Sequence, residues 1–227
     1  MKGDKKFITF DKVVRLIRKG TLLAEGLLFA EIPNHGFKCD RINENLIIIA
    51  IVETGILRFK INGSVYNVSQ KEIFAIHPGD IIEGFENISA GAGYLFVCSV
   101  NRTVELVREV DLYRLSMSVK NNPVIRLSPL YFNNILNCAR MIGAKVASRQ
   151  SNQYSSLTCL HLTEAITCEI YEGLSENGFS DDNKLSRAEI IFRDFLTMLS
   201  GMSVHRREVE WYADKLCISP KYLSDNS

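Results

Sequence analysis

A bound divalent metal needs imidazole, thiolate or carboxylate groups that converge on one point, and the sequence offers two places to look. His35 and His77 lie in the first hundred residues, with Asp80 and Glu83 close behind the second histidine. Two histidines and a carboxylate could gather there, but no His-x-His pair marks a metal cradle, and the competing reading puts both histidines on loops or a rim. Cys159, His161 and Cys168 invite a zinc reading. On a helix, however, positions two and nine apart point to different sides, so these three cannot converge on one ion. The sequence has no Gly-x-Ser-x-Gly elbow, no phosphate loop and no GxGxxG after a strand. No catalytic residue, metal ligand or cofactor is therefore expected, and the chain is not expected to be an enzyme.

The most informative spacing lies in His205 to Ser224, HRREVEWYADKLCISPKYLS. Val209, Tyr212, Ala213 and Leu216 fall at i, i+3, i+4 and i+7, one apolar stripe on a helix. Cys217, Ile218 and Ser219 form a short turn. Ser219 is placed to accept a free amide hydrogen of a second helix, with Pro220 at its first position, where a missing N–H costs nothing. Two short helices then meet at a corner, with Ala213, Leu216, Ile218 and Leu223 supplying the small and apolar contacts. This is helix-turn-helix grammar, with an ordinary helical corner as the alternative.

Across these residues YADKLCISPKYLS resembles, almost position by position, the first helix-turn-helix of the AraC/XylS transcription regulators. That resemblance implies a cupin-like domain for effector binding and dimerisation, followed by a DNA-binding region with two helix-turn-helix units. The second unit is absent from this sequence. Where the family continues past Tyr-Leu-Ser with an apolar pair that anchors the reading helix, this chain has Asp225, Asn226 and Ser227. The expectation is a truncated regulator, or one whose natural end has been replaced.

Composition fits such a protein without singling it out. The chain has 227 residues, 46% of them hydrophobic, and a formal net charge of +1, so no global field draws it to nucleic acid. Seven Lys or Arg crowd the first twenty residues against Asp4 and Asp11. A solvated basic arm is expected there, with contact to DNA or a membrane surface as the alternative. Arg15 and Arg18 interrupt the nearby apolar run, which argues against a secretory signal. The longest apolar run, Leu46 to Val52, falls far short of the ~20 residues a spanning helix needs. Six cysteines without a CxxC pair are expected to be buried free thiols in the cytoplasm.

The elements needed to position these groups change character near residue 102. Before it, short apolar runs at Leu46 to Val52, Ile56 to Ile61, Val65 to Val68, Ile73 to Ile76 and Tyr94 to Val100 read as strands. Asn62-Gly63 and Pro78-Gly79-Asp80 serve as turns. The stretch Ile76 to Ile81 also resembles the cupin turn that precedes a core strand. After it, Ser128-Pro129 opens a helix reaching Gly143, Ser156 to Leu174 makes a second, and the capping box at Ser186 to Glu189 opens a third that ends at Gly201. The expected fold class is α+β, a cupin-like barrel or sandwich followed by helices and a partial helix-turn-helix. The expected divisions are residues 1–101 for effector binding, 102–180 for dimerisation or packing, and 181–227 for incomplete DNA binding. The helical pair could bury its apolar stripes in a homodimer or simply on the strands.

By analogy with cupin sensors, an unknown small organic effector would contact His35, Phe37, His77, Glu83 and Tyr94. For Phe37 and Tyr94 the alternative is a plain core position. The resemblance assigns DNA contact to Ser219, Pro220, Lys221, Tyr222 and Ser224 on the reading helix, and phosphate contact to Arg206 and Arg207 before it. The competing function is a cupin-type enzyme or small-molecule-binding protein with a helical tail.

Overall fold

The apolar run beginning at Leu46 is explained by a strand that is covered on both faces. Leu46, Ile48, Ala50 and Val52 point into one core, whereas Ile51, with Ile49 packed alongside, points into another. Side chains alternate across a strand, so only a strand sandwiched between two layers can be apolar at every position. The computed structural model describes residues 7–17, 19–43, 45–106, 122–148, 153–176 and 208–222. It also describes six helical residues between Arg187 and Met198, and only the backbone of residues 37–42, 104–106 and 153.

The chain is α+β, with strands first and helices after. It begins with β1 (Phe7–Ile8), α1 (Phe10–Leu16), β2 (Thr21–Ala24), β3 (Leu27–Glu31) and β4 (Phe37–Asn43). Then come β5 (Leu46–Thr54), β6 (Ile56–Ile61), β7 (Ser64–Ser69), β8 (Glu72–Ile76), β9 (Ile81–Asn87) and β10 (Ala92–Ser99). After α2 (Val100–Leu106), the short β11 (Val124–Ile125) returns to pair with β8, and α3 (Pro129–Ala147), α4 (Gln153–Glu176) and α5 (Val209–Lys215) follow. The strands form two open sheets rather than a closed barrel, in the orders β1-β4-β9-β6-β7 and β11-β8-β5-β10-β3-β2. Among the described pairings only β1 with β4 is parallel.

One core lies between the sheets, where Phe59 of β6 stacks on Phe74 of β8 at 4.3 Å. The second lies between the six-stranded sheet and the α3/α4 pair, joining Phe29, Ile51, Ile73 and Phe96 to Ile135, Ala139, Ile142, Ile166 and Ile170. Each large side chain so buried contributes roughly 1.5–3 kcal/mol, which makes these layers the main stabilising term. Both strand-to-strand and helix-to-strand packing therefore share β5, β8 and β10.

Several sequence expectations meet their geometry. Asn62 (φ 52°) and Gly63 (φ 78°) form the left-handed pair of the β6–β7 hairpin, the conformation that an Asn-Gly turn supplies. Helix α3 starts at Pro129 as expected but runs past Gly143 to Ala147. A Cβ at Gly143 would stand at ordinary contact distance, 3.4 Å from the Tyr94 ring and 3.7 Å from that of Phe29, so this glycine continues the helix without being required by its neighbours.

Other expectations need correction. From Phe7 onward the basic segment is a strand and a helix with Val13 buried, not a solvated arm. Strands β2, β3, β4 and β9 and helix α1 were not expected from the sequence pattern. Of the described cysteines, Cys98 and Cys159 are buried and Cys138 is half-buried, but Cys168 and Cys217 are exposed. Leu130, Leu157 and Val209, assigned to apolar stripes, are exposed. Among the described residues no helix is long and apolar enough to cross a membrane.

Candidate functional site

At one end of the sandwich the polar side chains are committed to the backbone of the turns. Asn43 is fully buried, and its Nδ2 donates to the carbonyls of Leu46 and His77 at 2.6 Å each, while its Oδ1 accepts the Leu46 N–H at 3.1 Å. Asp80 accepts the His77 N–H at 2.7 Å through one oxygen and the Asn62 Nδ2 at 2.7 Å through the other. Glu83 accepts the Gly63 N–H at 2.8 Å and sits 3.1 Å from the Lys60 ammonium. The Gly63 amide first, and the Lys60 side chain second, hold its carboxyl below the usual glutamate range. These groups hold turns and strands in register.

The five residues singled out for effector contact are dispersed. His35 is exposed in the loop after β3. Phe37 opens β4, paired in register with Phe85, and its side chain lies outside the described residues. His77 and Glu83 belong to the turn network just described. Tyr94 faces the helices: it stacks on Phe29 at 5.6 Å and lies beside the Arg140–Glu53 ion pair, itself 2.5 Å long. Burial first, and then the Glu53 charge, push the Tyr94 phenol up. Cys159 is buried while His161 is exposed with its Nδ1 2.7 Å from Glu164, so the helical Cys/His set points in different directions. Among the described residues, no group of three or more His, Cys, Asp or Glu is placed to hold a metal ion.

A cavity of about 60 Å³ lies between the sheets instead, and His35, His77, Glu83 and Tyr94 do not line it. Its walls come from Ile48 and Ala50 of β5, Leu95 and Val97 of β10, and Ile76 of β8 on one side. Leu57 and Phe59 of β6 with Ile82, Gly84 and Phe85 of β9 face them. Ile8, Val13, Leu16 and Ile17 close it from the β1/α1 segment, and Ile32 and Pro33 complete the rim. Among the described residues no polar atom contributes to its surface. A usable signal for the lid was present in the sequence: Phe10, Val13, Val14 and Ile17 are spaced i, i+3, i+4 and i+7, but basic residues between them mask the stripe.

The helical corner occupies a third, separate cluster. Tyr212 and Ala213 of α5 are buried, with Phe195, Met198, Trp211, Leu216 and Ile218 around them. The Phe195 ring meets Tyr212 edge-on at 5.3 Å, so the helix carrying Phe195 packs directly on α5. Helix α5 ends with the Cys217 N–H donating to the Asp214 carbonyl at 3.2 Å and the Ile218 N–H to that of Ala213 at 3.0 Å. Cys217 stands at φ 54° between them. That pairing is a Schellman termination, whose left-handed residue is usually glycine. Ser219 then caps the next turn, its Oγ accepting the Tyr222 N–H at 3.2 Å, and Pro220 opens the helical segment as expected. Ser219, Pro220, Lys221 and Tyr222 are all exposed. Arg206, Arg207 and Ser224 lie outside the described residues.

No protein-family model matches this sequence, and no curated protein matches it either. Among solved structures, the AraC-like transcriptional activator CuxR is similar over 89% of this chain and 70% of its own, at 15% identity and a TM-score of 0.48. An apo ToxT variant from Vibrio cholerae is similar over 92% of this chain and 77% of its own, at 11% identity and a TM-score of 0.45. The Cnp3 cupin domain from Schizosaccharomyces pombe is similar over 35% of this chain and 61% of its own, at 15% identity and a TM-score of 0.30.

Proposed function

We propose that this chain is the sensor and the first helix-turn-helix of an effector-responsive transcription regulator of AraC type. The observation that carries the reading is the corner at 209–222. A sequence resembling the family's first unit there adopts a capped helix, a left-handed turn at Cys217 and a second helical start at Ser219-Pro220. In this reading Ser219, Pro220 and Tyr222 face a DNA groove, with Ser224 continuing that surface, while Lys221, Arg206 and Arg207 neutralise phosphates. The sandwich receives a small effector, and the α3/α4 pair joins two copies in the cytoplasm. No catalytic group or cofactor is assigned.

A titration of labelled duplex DNA by fluorescence anisotropy, repeated across salt concentrations, tests this. The 227-residue chain is expected to bind weakly, without strong sequence preference, and Lys221→Ala should reduce the salt slope by about one. An unchanged slope would remove Lys221 from the DNA surface. Stoichiometric, tightly held metal in the purified protein would favour the competing cupin-type enzyme.

A further inference from the structure

We propose, building on the reading of the sandwich as a sensor, that the group it encloses is pure hydrocarbon and that Ala50 decides how large a group enters. Ala50 is the smallest side chain on its face of β5, flanked two positions away by Ile48 and Val52. Its cross-strand partners are Phe74 and Leu95. The Phe74 ring is already engaged by Phe59 at 4.3 Å and cannot swing into the notch that the alanine methyl leaves. Ala50, Leu95 and Phe59 all belong to the cavity wall.

The chemistry of the occupant follows from the walls. Among the described residues no polar atom lines the space, so a hydroxyl, amide or charge drawn inside would leave its water partners and find none among them in exchange. Cavities lined in this way stay dry and accept apolar guests. Size sets the second limit. At about 60 Å³ the cavity is far below the roughly 300–1,000 Å³ of sites that enclose a drug-sized molecule, so a short aliphatic segment or the end of a longer chain is enclosed. The remainder of such a ligand, with any polar group, stays at the rim beside Leu16, which is half exposed. Sugars and other polyols are excluded from the interior.

The n-alcohols from propanol to octanol, titrated into the full chain by saturation-transfer NMR and calorimetry, test the proposal without DNA. A failure of the DNA-binding reading therefore leaves the result intact. Affinity should rise about fourfold per methylene until the cavity is filled, then level off. Ala50→Leu should abolish the chain-length dependence, and Leu95→Ala should move the plateau to longer alcohols. Equal binding by wild type and a folded Ala50→Leu, an unmoved plateau in Leu95→Ala, or saturable glucose binding in place of the alcohols would each overturn it. Should Ala50→Leu fail to fold, the Leu95→Ala plateau alone decides.

Discussion

The inter-sheet cavity and the helical corner are both assembled by apolar packing, yet they differ in how far along the chain their parts are spread. The cavity draws its walls from residues between Ile8 and Val97, on seven strands and helices plus the rim after β3. The corner is complete between Phe195 and Tyr222, and its turn and cap are decided within six residues. A local feature carries its own spacing rule, whereas a cavity exists only after distant strands have been placed in register. The carboxylates of Asp80 and Glu83 are spent on turns that also take up the His77 backbone, and the space for a ligand is lined by an alanine and a glycine.

If the two regions are separately held, a lesion in one should spare the other, and the largest such lesion is at Asn43. Replacing it with alanine removes the donors to the Leu46 and His77 carbonyls and strands the buried Leu46 N–H. At about 1–3 kcal/mol per buried unsatisfied group, a loss on the order of 3 kcal/mol is expected. Urea unfolding followed by far-ultraviolet circular dichroism should show it. Trp211, the single tryptophan of the chain, sits in the corner cluster and reports on that region alone. Its fluorescence transition should stay where it is in Asn43→Ala, and a matching shift would join the regions into one cooperative unit.

The reciprocal lesion is Ala213→Leu. Ala213 is completely buried on α5 beside Tyr212, in the cluster that Phe195 joins, and overpacking such a position costs about 1–3 kcal/mol. The Trp211 transition should move to lower urea while alcohol binding in the sandwich persists. Loss of both would again contradict separate regions.

The same contrast accounts for what was legible beforehand. The α5 stripe, the Ser219 cap and the Asn62-Gly63 hairpin each rest on residues within one or two turns of each other, and the structure has the cap, the hairpin and the stripe at Tyr212, Ala213 and Leu216, with Val209 exposed. Strand β5 was legible too, because its unbroken apolar run admits few alternatives, while its coverage on both faces emerged only with the helices placed. Strand β9 was hidden because Glu83 and Gly84 interrupt its pattern, and β2 and β3 because Gly26 turns the chain after only four residues of β2. Helix α1 was hidden by its basic exposed side, which drew attention away from Val13. A cavity wall is invisible to spacing, since cross-strand register puts Ala50 beside Leu95 at a separation no periodicity encodes.

A smaller effect probes the turn that makes the corner. Cys217 holds a left-handed conformation that a side chain resists, and glycine occupies it freely. Offset by the entropy that glycine loses on folding, Cys217→Gly should raise the stability of the Trp211 transition by ~0.5–1 kcal/mol. A decrease would mean that the exposed thiol contributes more than the backbone saves.

The smallest effect separates the two roles open to Glu83. As a turn anchor, its carboxylate is favoured in the folded state by the Gly63 amide and by Lys60, which lowers its pKa relative to the unfolded chain. Stability from that source is present above the unfolded glutamate value of about 4.3 and is lost as pH falls through the lower folded value. Glu83→Gln should therefore flatten the acid limb of a stability-against-pH curve and leave alcohol binding unchanged, because Glu83 is not part of the cavity wall. If instead the variant keeps its acid limb and loses ligand, Glu83 acts on the occupant, and the polar end of the sandwich would have to be counted as part of the binding site.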